Sequence, residues 1–337
     1  MANLATKYMG IELKNPLVVG ASSVTGHMDS IKKIEDSGAG ALVIKSLFEE
    51  EIQLERHKLD KDLEMYDDWH AEMTNIFPEL EHAGPDEHLM WTRKAKEAVS
   101  IPVIASLNAV QHDTWVEWAA KLEETGVDGL ELNFFSVPTD PTKSAKEIEE
   151  EQIAALTAVK KKVKIPVSVK LSAFYTSPLE MVHRMDKVGV DGFVLFNRMF
   201  HPSFDVEKET ARFPFNLSTS SDHRLALRYV GLLAGEIKGS LCGSNGIHTA
   251  EDAIELLLAG ADSFQVVSAL YRNSVKHVGT IVSGIESWMD KKGYASVNDF
   301  RGKLSVKNSG DKWSYRRAQY VKMLLRADDY VTQPKLI

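Results

Sequence analysis

Apolar and polar positions follow two recurring rhythms along the chain. In the first, an amphipathic stretch ends in glycine and an apolar run follows at once. It appears as GAGALVI from Gly38, GVDGLEL from Gly126, GVDGFVL from Gly189 and GADSFQV from Gly260. A glycine just past a helix supplies the left-handed cap, and the apolar run after it reads as a buried strand. The second rhythm is proline before an apolar run: NPLVVGAS from Asn15, IPVIASL from Ile101 and KIPVSVKL from Lys164. Proline stops the preceding helix and is tolerated at the first residue of a strand. With SLCGS at Ser240, the two rhythms predict eight strands, at 17–22, 41–47, 102–107, 129–134, 166–172, 192–198, 240–244 and 263–269.

Helical patterns lie between these strands, among them Lys146 to Lys162, Ser274 to Lys292, and Asp222 to Lys238 with Asp222 as N-cap. Strands separated by helices are parallel. Eight such units point to an α/β fold closed as a (β/α)8 barrel (a TIM barrel), and no GxGxxG follows the first strand to suggest a dinucleotide fold. Long insertions follow strand two (Phe48 to His88) and strand six (Met199 to Ser221), on the face where barrel enzymes build active sites. The expected organisation is a barrel over residues 1–302 and a C-terminal extension over 303–337, the latter carrying Trp313, Tyr315, Tyr320 and Tyr330.

Composition narrows the function classes. The 337 residues fit one barrel, and the net charge of −8 argues against a nucleic-acid partner, which needs a basic face. The single cysteine, Cys242, excludes a disulfide, a cysteine zinc site and a self-contained iron–sulfur cluster within one chain. Residues 1–15 hold no basic region followed by an apolar run, and no stretch approaches a membrane span. A soluble, cytoplasmic protein without a membrane partner is expected.

Candidate chemistry gathers at the strand ends. Strand one ends in Ala21-Ser22, strand two in Lys45-Ser46, strand three in Ser106, strand four in Asn133, strand five in Lys170 and strand six in Asn197-Arg198. Strand seven runs into Gly243-Ser244-Asn245-Gly246, and strand eight into Val267-Ser268. A lysine at the end of an apolar strand is costly to bury without an anion or electron-rich acceptor. The alternative is snorkelling to the barrel rim; two such lysines beside two asparagines favour a ligand site. The glycine turn after strand seven offers backbone amides to an anion, where barrels commonly hold a phosphate. A flat, phosphate-bearing cofactor such as FMN suits this set, with a lysine tuning the reduced ring.

The succession NPLVVGAS, VIKS, ASL, ELNFFS, VSVKLS, FN, CGSNGI and VVSAL, over about residues 5 to 303, resembles the dihydroorotate dehydrogenase family. The resemblance implies an FMN enzyme of pyrimidine biosynthesis that oxidises a CH–CH bond. It assigns Lys45 and Lys170 to contact the flavin, and Ala21, Ser22, Ser46 and Asn133 to line it, with Ser106 in the same set. Gly243, Asn245, Gly246, Val267 and Ser268 hold the phosphate, and Asn133 and Asn197 also bind substrate. The family's base stands three residues after the strand-four asparagine, here Ser136. It removes a proton beside a carbonyl while a hydride passes to flavin N5. A serine is a poor base by itself and needs a partner to take the proton.

Departures fall in the substrate half of the pattern. Val137 stands where the family has proline, with Pro138 one residue late and Thr139-Asp140 in place of the asparagine. The substrate loop after strand two has Thr74-Asn75 as its nearest counterpart, making Asn75 the third substrate candidate. Leu217 to Ser221 replaces a double-glycine element. Two alternatives stay open: a phosphate-binding isomerase or synthase, and a flavin-binding relative with another substrate or none. The lack of a membrane-binding N-terminal helix counts against a quinone-linked form, NAD reduction needs a partner protein, and fumarate is a third acceptor. A homodimer is the usual state of soluble relatives. No metal site is expected: His57, His70, His82 and His88 read as solvated loop histidines, and Glu49 to Glu51 and Glu147 with Glu149 to Glu151 as exposed helix faces or helix starts. Met65, Tyr66 and Trp69 read as a lid or as packing beneath a loop.

Overall fold

A computed structural model of the chain describes residues 2–54, 84–311 and 313–326. It opens with an antiparallel hairpin, β1 (Thr6–Tyr8) and β2 (Ile11–Leu13). The strands β3 (Leu17–Val19), β4 (Ala41–Val43) with its short continuation β5 (Leu47–Phe48), β6 (Val103–Asn108), β7 (Gly129–Phe134), β8 (Val167–Leu171) and β9 (Gly192–Leu195) follow. A second hairpin, β10 (Ser203–Asp205) and β11 (Thr210–Arg212), precedes β12 (Ser240–Ser244) and β13 (Ser263–Val266). All barrel pairings are parallel, and β13 returns to β3, so the sheet closes. The helices are α1 (Met28–Asp36), α2 (Pro85–Ala98), α3 (His112–Glu123), α4 (Ala145–Lys162), α5 (Pro178–Val188), α6 (His223–Leu233), α7 (Ala250–Ala259), α8 (Ser268–Asn273), α9 (His277–Lys292) and α10 (Arg317–Leu324). The eight-stranded (β/α)8 barrel expected from the sequence is therefore observed.

The repeated glycine element does three jobs. Its first glycine turns the chain out of a helix at positive φ, +86° at Gly126 and +95° at Gly189. Its acid pins the start of the neighbouring strand: Asp128 accepts from the Val103 amide at 2.7 Å, Asp191 from Val167 at 2.8 Å and Asp262 from Leu241 at 2.8 Å. Each is balanced by a cation, Lys96, Lys160 and Arg301 respectively. The second glycine makes room. A Cβ on Gly192 would lie 2.8 Å from Met9 Cγ, and one on Gly129 3.1 Å from Met9 Cε. The β1–β2 hairpin thus packs Tyr8 and Met9 into the N-terminal end of the barrel, leaving the other end for chemistry.

Several boundaries move. The first strand stops at Val19 because a 3-10 turn follows at Ser23–Thr25, and the sixth stops at Leu195, before a cis peptide to Phe196. The second is split at residues 44–46, and the eighth ends at Val266 because Ser268 begins a helix. Helix α6 ends at Leu233, and Asp222 makes no side-chain cap; its carboxylate instead accepts from the Thr219 amide and Arg198. Two readings of charged residues are corrected. Glu49 is buried, 2% exposed, because its carboxylate accepts from the amides of Val110 and Gln111 at the entry to α3. His88 sits in α2, not in a loop, and burial followed by the charge of Lys45 pushes its imidazole down to about 4.

Leu304, Val306 and Tyr315 lie across the C-terminal parts of α6 and α7, opposite the strand ends that carry the site: Val306 bonds to Gly231, Leu304 to Leu258, and the Tyr315 ring covers Gly231. Asn75, Met65, Tyr66, Trp69, His57, His70, His82 and Tyr330 lie outside the described residues.

Candidate active site

Barrel closure turns the C-terminal strand ends into a ring, and a cavity of about 570 Å³ opens there. That is within the range that holds most of a cofactor-sized ligand. Of the residues singled out in the sequence, Ala21, Ser22, Lys45, Ser46, Lys170, Asn197, Asn245, Gly246, Val267 and Ser268 line it together. Ser106 stands one layer behind, its hydroxyl 2.7 Å from that of Ser46. Asn133 is likewise behind Asn197, whose Nδ2 donates to Asn133 Oδ1 at 2.5 Å.

Two residues stand apart. Gly243 is off the cavity; a Cβ there would lie 2.6 Å from Leu256 Cδ1, so its smallness serves the packing of α7 against the barrel. Ser136 is exposed and lines a second cavity of about 590 Å³ with His112, Phe134, Asp140 and Lys143.

The lining of the main cavity is electrostatically one-sided. Lys45, Lys170 and Arg198 contribute to it, and among the described residues no Asp or Glu does. Each cation has its carboxylate behind the wall. Arg198 pairs with Asp222 at 3.0 Å, Lys45 with Glu51 at 3.6 Å, and Lys170 with Glu131 at 3.9 Å. Lys170 Nζ also donates to Gln265 Oε1 at 2.9 Å, and Gln265 Nε2 donates to Glu131 Oε2 at 2.5 Å. An open cavity with cations forward and acids recessed suits an anionic or electron-rich guest.

At one end the chain presents backbone. Asn245 and Gly246 take positive φ, +75° and +76°, in the turn between β12 and α7. Successive residues in such a turn make a concavity that favours anions. The 217–223 segment closes on that turn: a Cβ at Gly246 would lie 2.3 Å from the His223 amide nitrogen. Ser218 donates its amide to Ser268 Oγ at 3.0 Å, and its hydroxyl meets His248 Nε2 at 3.1 Å. The phosphate of a cofactor fits these small, hydroxyl-bearing residues.

Arg198, Gln265, Glu131 and the aromatic wall were not assigned roles from sequence. Arg198 fixes the loop after β9 by donating to the carbonyls of Asn216 and Leu217 and to Asn245 Oδ1. That loop brings Phe200 and Phe215 to the cavity with ring centroids 5.5 Å apart, and Phe215 meets Tyr271 at 5.3 Å. Tyr271 is held by Ser23, hydroxyl to hydroxyl at 2.5 Å. A signal for the polar pair was present, since Glu131 and Gln265 interrupt otherwise apolar strands. The aromatic wall had none, because it depends on how the insertion folds back.

Comparison with known proteins gives one answer. The family model for dihydroorotate dehydrogenase matches residues 3–289. A protein of Methanocaldococcus jannaschii named dihydroorotate dehydrogenase B (NAD(+)), catalytic subunit, is 31% identical over 280 residues, covering 80% of this chain and 87% of its own length. The Thermoplasma acidophilum protein of the same name is 27% identical, covering 90% of this chain and 99% of itself. Dihydroorotate dehydrogenase A (fumarate) of Lactobacillus delbrueckii subsp. bulgaricus is 26% identical with the same coverage, 90% and 99%. With the match running from the N-terminal plug through the last barrel helix, the chain belongs to the dihydroorotate dehydrogenase family.

Proposed function

We propose that the protein is an FMN-dependent oxidoreductase that converts dihydroorotate to orotate. Enzymes of its family are generally flavin-dependent and act on CH–CH bonds. The observation that carries the FMN assignment is the cavity with three cations, no lining carboxylate among the described residues, and an anion-favouring turn at one end. Ser244 to Ile247, Val267 and Ser268 would hold the phosphate, with Ser218 beside them. Lys45 and Lys170 would face the ring and favour its negatively charged reduced form. FMN, when bound, supplies the hydride acceptor. Asn197, with Asn133 behind it, would orient the polar edge of the substrate, and Arg198 keeps the loop carrying Phe200 and Phe215 over the mouth.

Ser136 relays the proton in this reading, passing it to water as it takes it from the substrate, since a serine by itself is a poor base. A base must come within hydrogen-bond reach of the proton it takes, and such contacts often tighten only when substrate binds. Ser136 lies on the segment between β7 and α4, so its role requires that segment to fold in over the mouth. The homodimeric state common among soluble relatives is part of the same proposal, as is a cytoplasmic location. Among the described residues, no helix is long and apolar enough to cross a membrane.

The direct test is spectroscopic. The purified protein, or the protein incubated with FMN, should show flavin absorbance that bleaches with dithionite and, under anaerobic conditions, with dihydroorotate. Failure to take up FMN would remove the cofactor reading; uptake without bleaching by dihydroorotate would remove the substrate.

A further inference from the structure

We infer that Glu131 is a positioning residue that sets the redox bias of the bound flavin through Gln265 and Lys170. The inference rests on the flavin reading above. Glu131 lies mid-strand on β7, in register with Ser106 on one side and Ser168 on the other, and its side chain is 1% exposed. Its Oε2 accepts from Gln265; its Oε1 is buried without a hydrogen-bond partner and faces Lys170 Nζ at 3.9 Å. A carboxylate buried this way is strongly unfavourable without a nearby cation, and Lys170 is that cation.

The amide between them can adopt one orientation. Its oxygen meets the ammonium at 2.9 Å and its nitrogen meets the carboxylate at 2.5 Å; reversing it would set donor against donor and acceptor against acceptor. Gln265 and Lys170 both line the cavity, so the relay holds the ammonium from behind while leaving its front open to the guest. The other buried titratable groups around Glu131 do not share the charge. Burial pushes the Tyr8 phenol well up and the Cys242 thiol up to about 12, so both stay neutral. Asp262, also within electrostatic reach of Tyr8 and Cys242, is paired with Arg301.

Glu131 therefore differs from the acids behind the other two cations. Asp222 is 34% exposed and Glu51 10%, so water screens them more than it screens Glu131. A fixed negative charge in the dry interior would oppose the arrival of negative charge on a ring bound in the cavity. Glu131 thus holds back what Lys170 promotes, and their balance fixes how readily the flavin is reduced.

The test compares FMN-loaded wild type with Glu131→Gln, which removes the charge and keeps both shape and an acceptor for Gln265. FMN uptake is followed by fluorescence quenching, the midpoint potential by anaerobic titration against a reference dye, and sulfite affinity by bleaching. Expected are wild-type FMN uptake, a rise in midpoint equivalent to at least a tenfold gain in the reduced form (about 30 mV for a two-electron couple), and sulfite binding tightened by a similar factor. An unchanged or lowered midpoint overturns the inference; a purely structural role would lower the melting temperature without moving it. If wild type takes up no FMN, the flavin reading fails before any variant is compared. Should Glu131→Gln not fold, Glu131→Asp, which withdraws the carboxylate by one methylene, is expected to give a smaller rise. Failure of both to fold assigns Glu131 to structure alone and overturns the proposal.

Discussion

Lys170→Met isolates the buried charge pair from any question of cofactor. The substitution keeps the length and apolar character of the stem and deletes the ammonium. What remains is Glu131, 1% exposed, with one oxygen on Gln265 and the other facing an apolar group. Removing one partner of a buried pair costs about 3–5 kcal/mol, because the survivor has lost both water and counter-charge. For a chain of 337 residues the unfolding entropy is roughly 0.7 kcal/mol per degree near 60 °C, so the melting temperature should fall by about 4–7 °C. The assay is thermal unfolding of the ligand-free protein at pH 7, followed by circular dichroism. Adding Glu131→Gln to Lys170→Met removes the stranded charge, and the double variant should recover at least half of the loss, about 1.5–2.5 kcal/mol or more. Melting of Lys170→Met within 1 °C of wild type, or a double variant no more stable than the single, would refute the pair as the organiser of the cavity floor.

Three further outcomes are expected. Ser136→Ala, at an exposed position, should leave stability within about 0.5 kcal/mol and FMN uptake unchanged, yet slow dihydroorotate-driven bleaching by about 10²–10⁴-fold; an unaltered rate removes Ser136 from the reaction. The imidazole of His88 is held down to about 4 by burial and Lys45, below its unfolded value near 6.5, so the unfolded chain binds the extra proton first. Its contribution to stability is complete above about pH 6.5 and is lost as pH falls toward 4, to a total on the order of 3 kcal/mol. His88→Gln should flatten urea-unfolding stability across that window, and a slope identical to wild type would contradict the assignment. Gly246→Ala meets both a positive φ and a contact of 2.3 Å with the His223 amide nitrogen, so folded protein should be scarce or destabilised by more than about 3 kcal/mol. A variant that melts and takes up FMN like wild type would show that the turn yields easily.

Much of the molecule was legible because its information is local. Helix caps at Gly126 and Gly189, strand starts at Pro102 and Pro166, and the apolar runs after them depend on neighbours along the chain, so they specify strands and helices wherever the rest goes. Eight such units constrain the architecture, and closure then gathers every strand end into one ring. This is why the sequence alone brings Lys45, Lys170, Asn197 and Ser268 to a common mouth. Local pattern also misled where a side chain's partner is distant: Glu49 reads as an exposed acid until Val110 and Gln111 turn their amides toward it.

By itself, then, the sequence determined the (β/α)8 order and the chemical character of the barrel mouth, since both follow from amphipathic stretches ended by glycine or proline, the continuous apolar runs after them, and the polar residues at the strand ends. The tertiary structure alone decided which polar groups meet across the barrel. Glu131 and Gln265 are 134 residues apart, and the Arg198 guanidinium binds backbone at Asn216 and Leu217 and a side chain at Asn245. It also decided that Ser136 stands on a different cavity from the lysines, because the direction of a loop is set by what it packs against and not by its own composition.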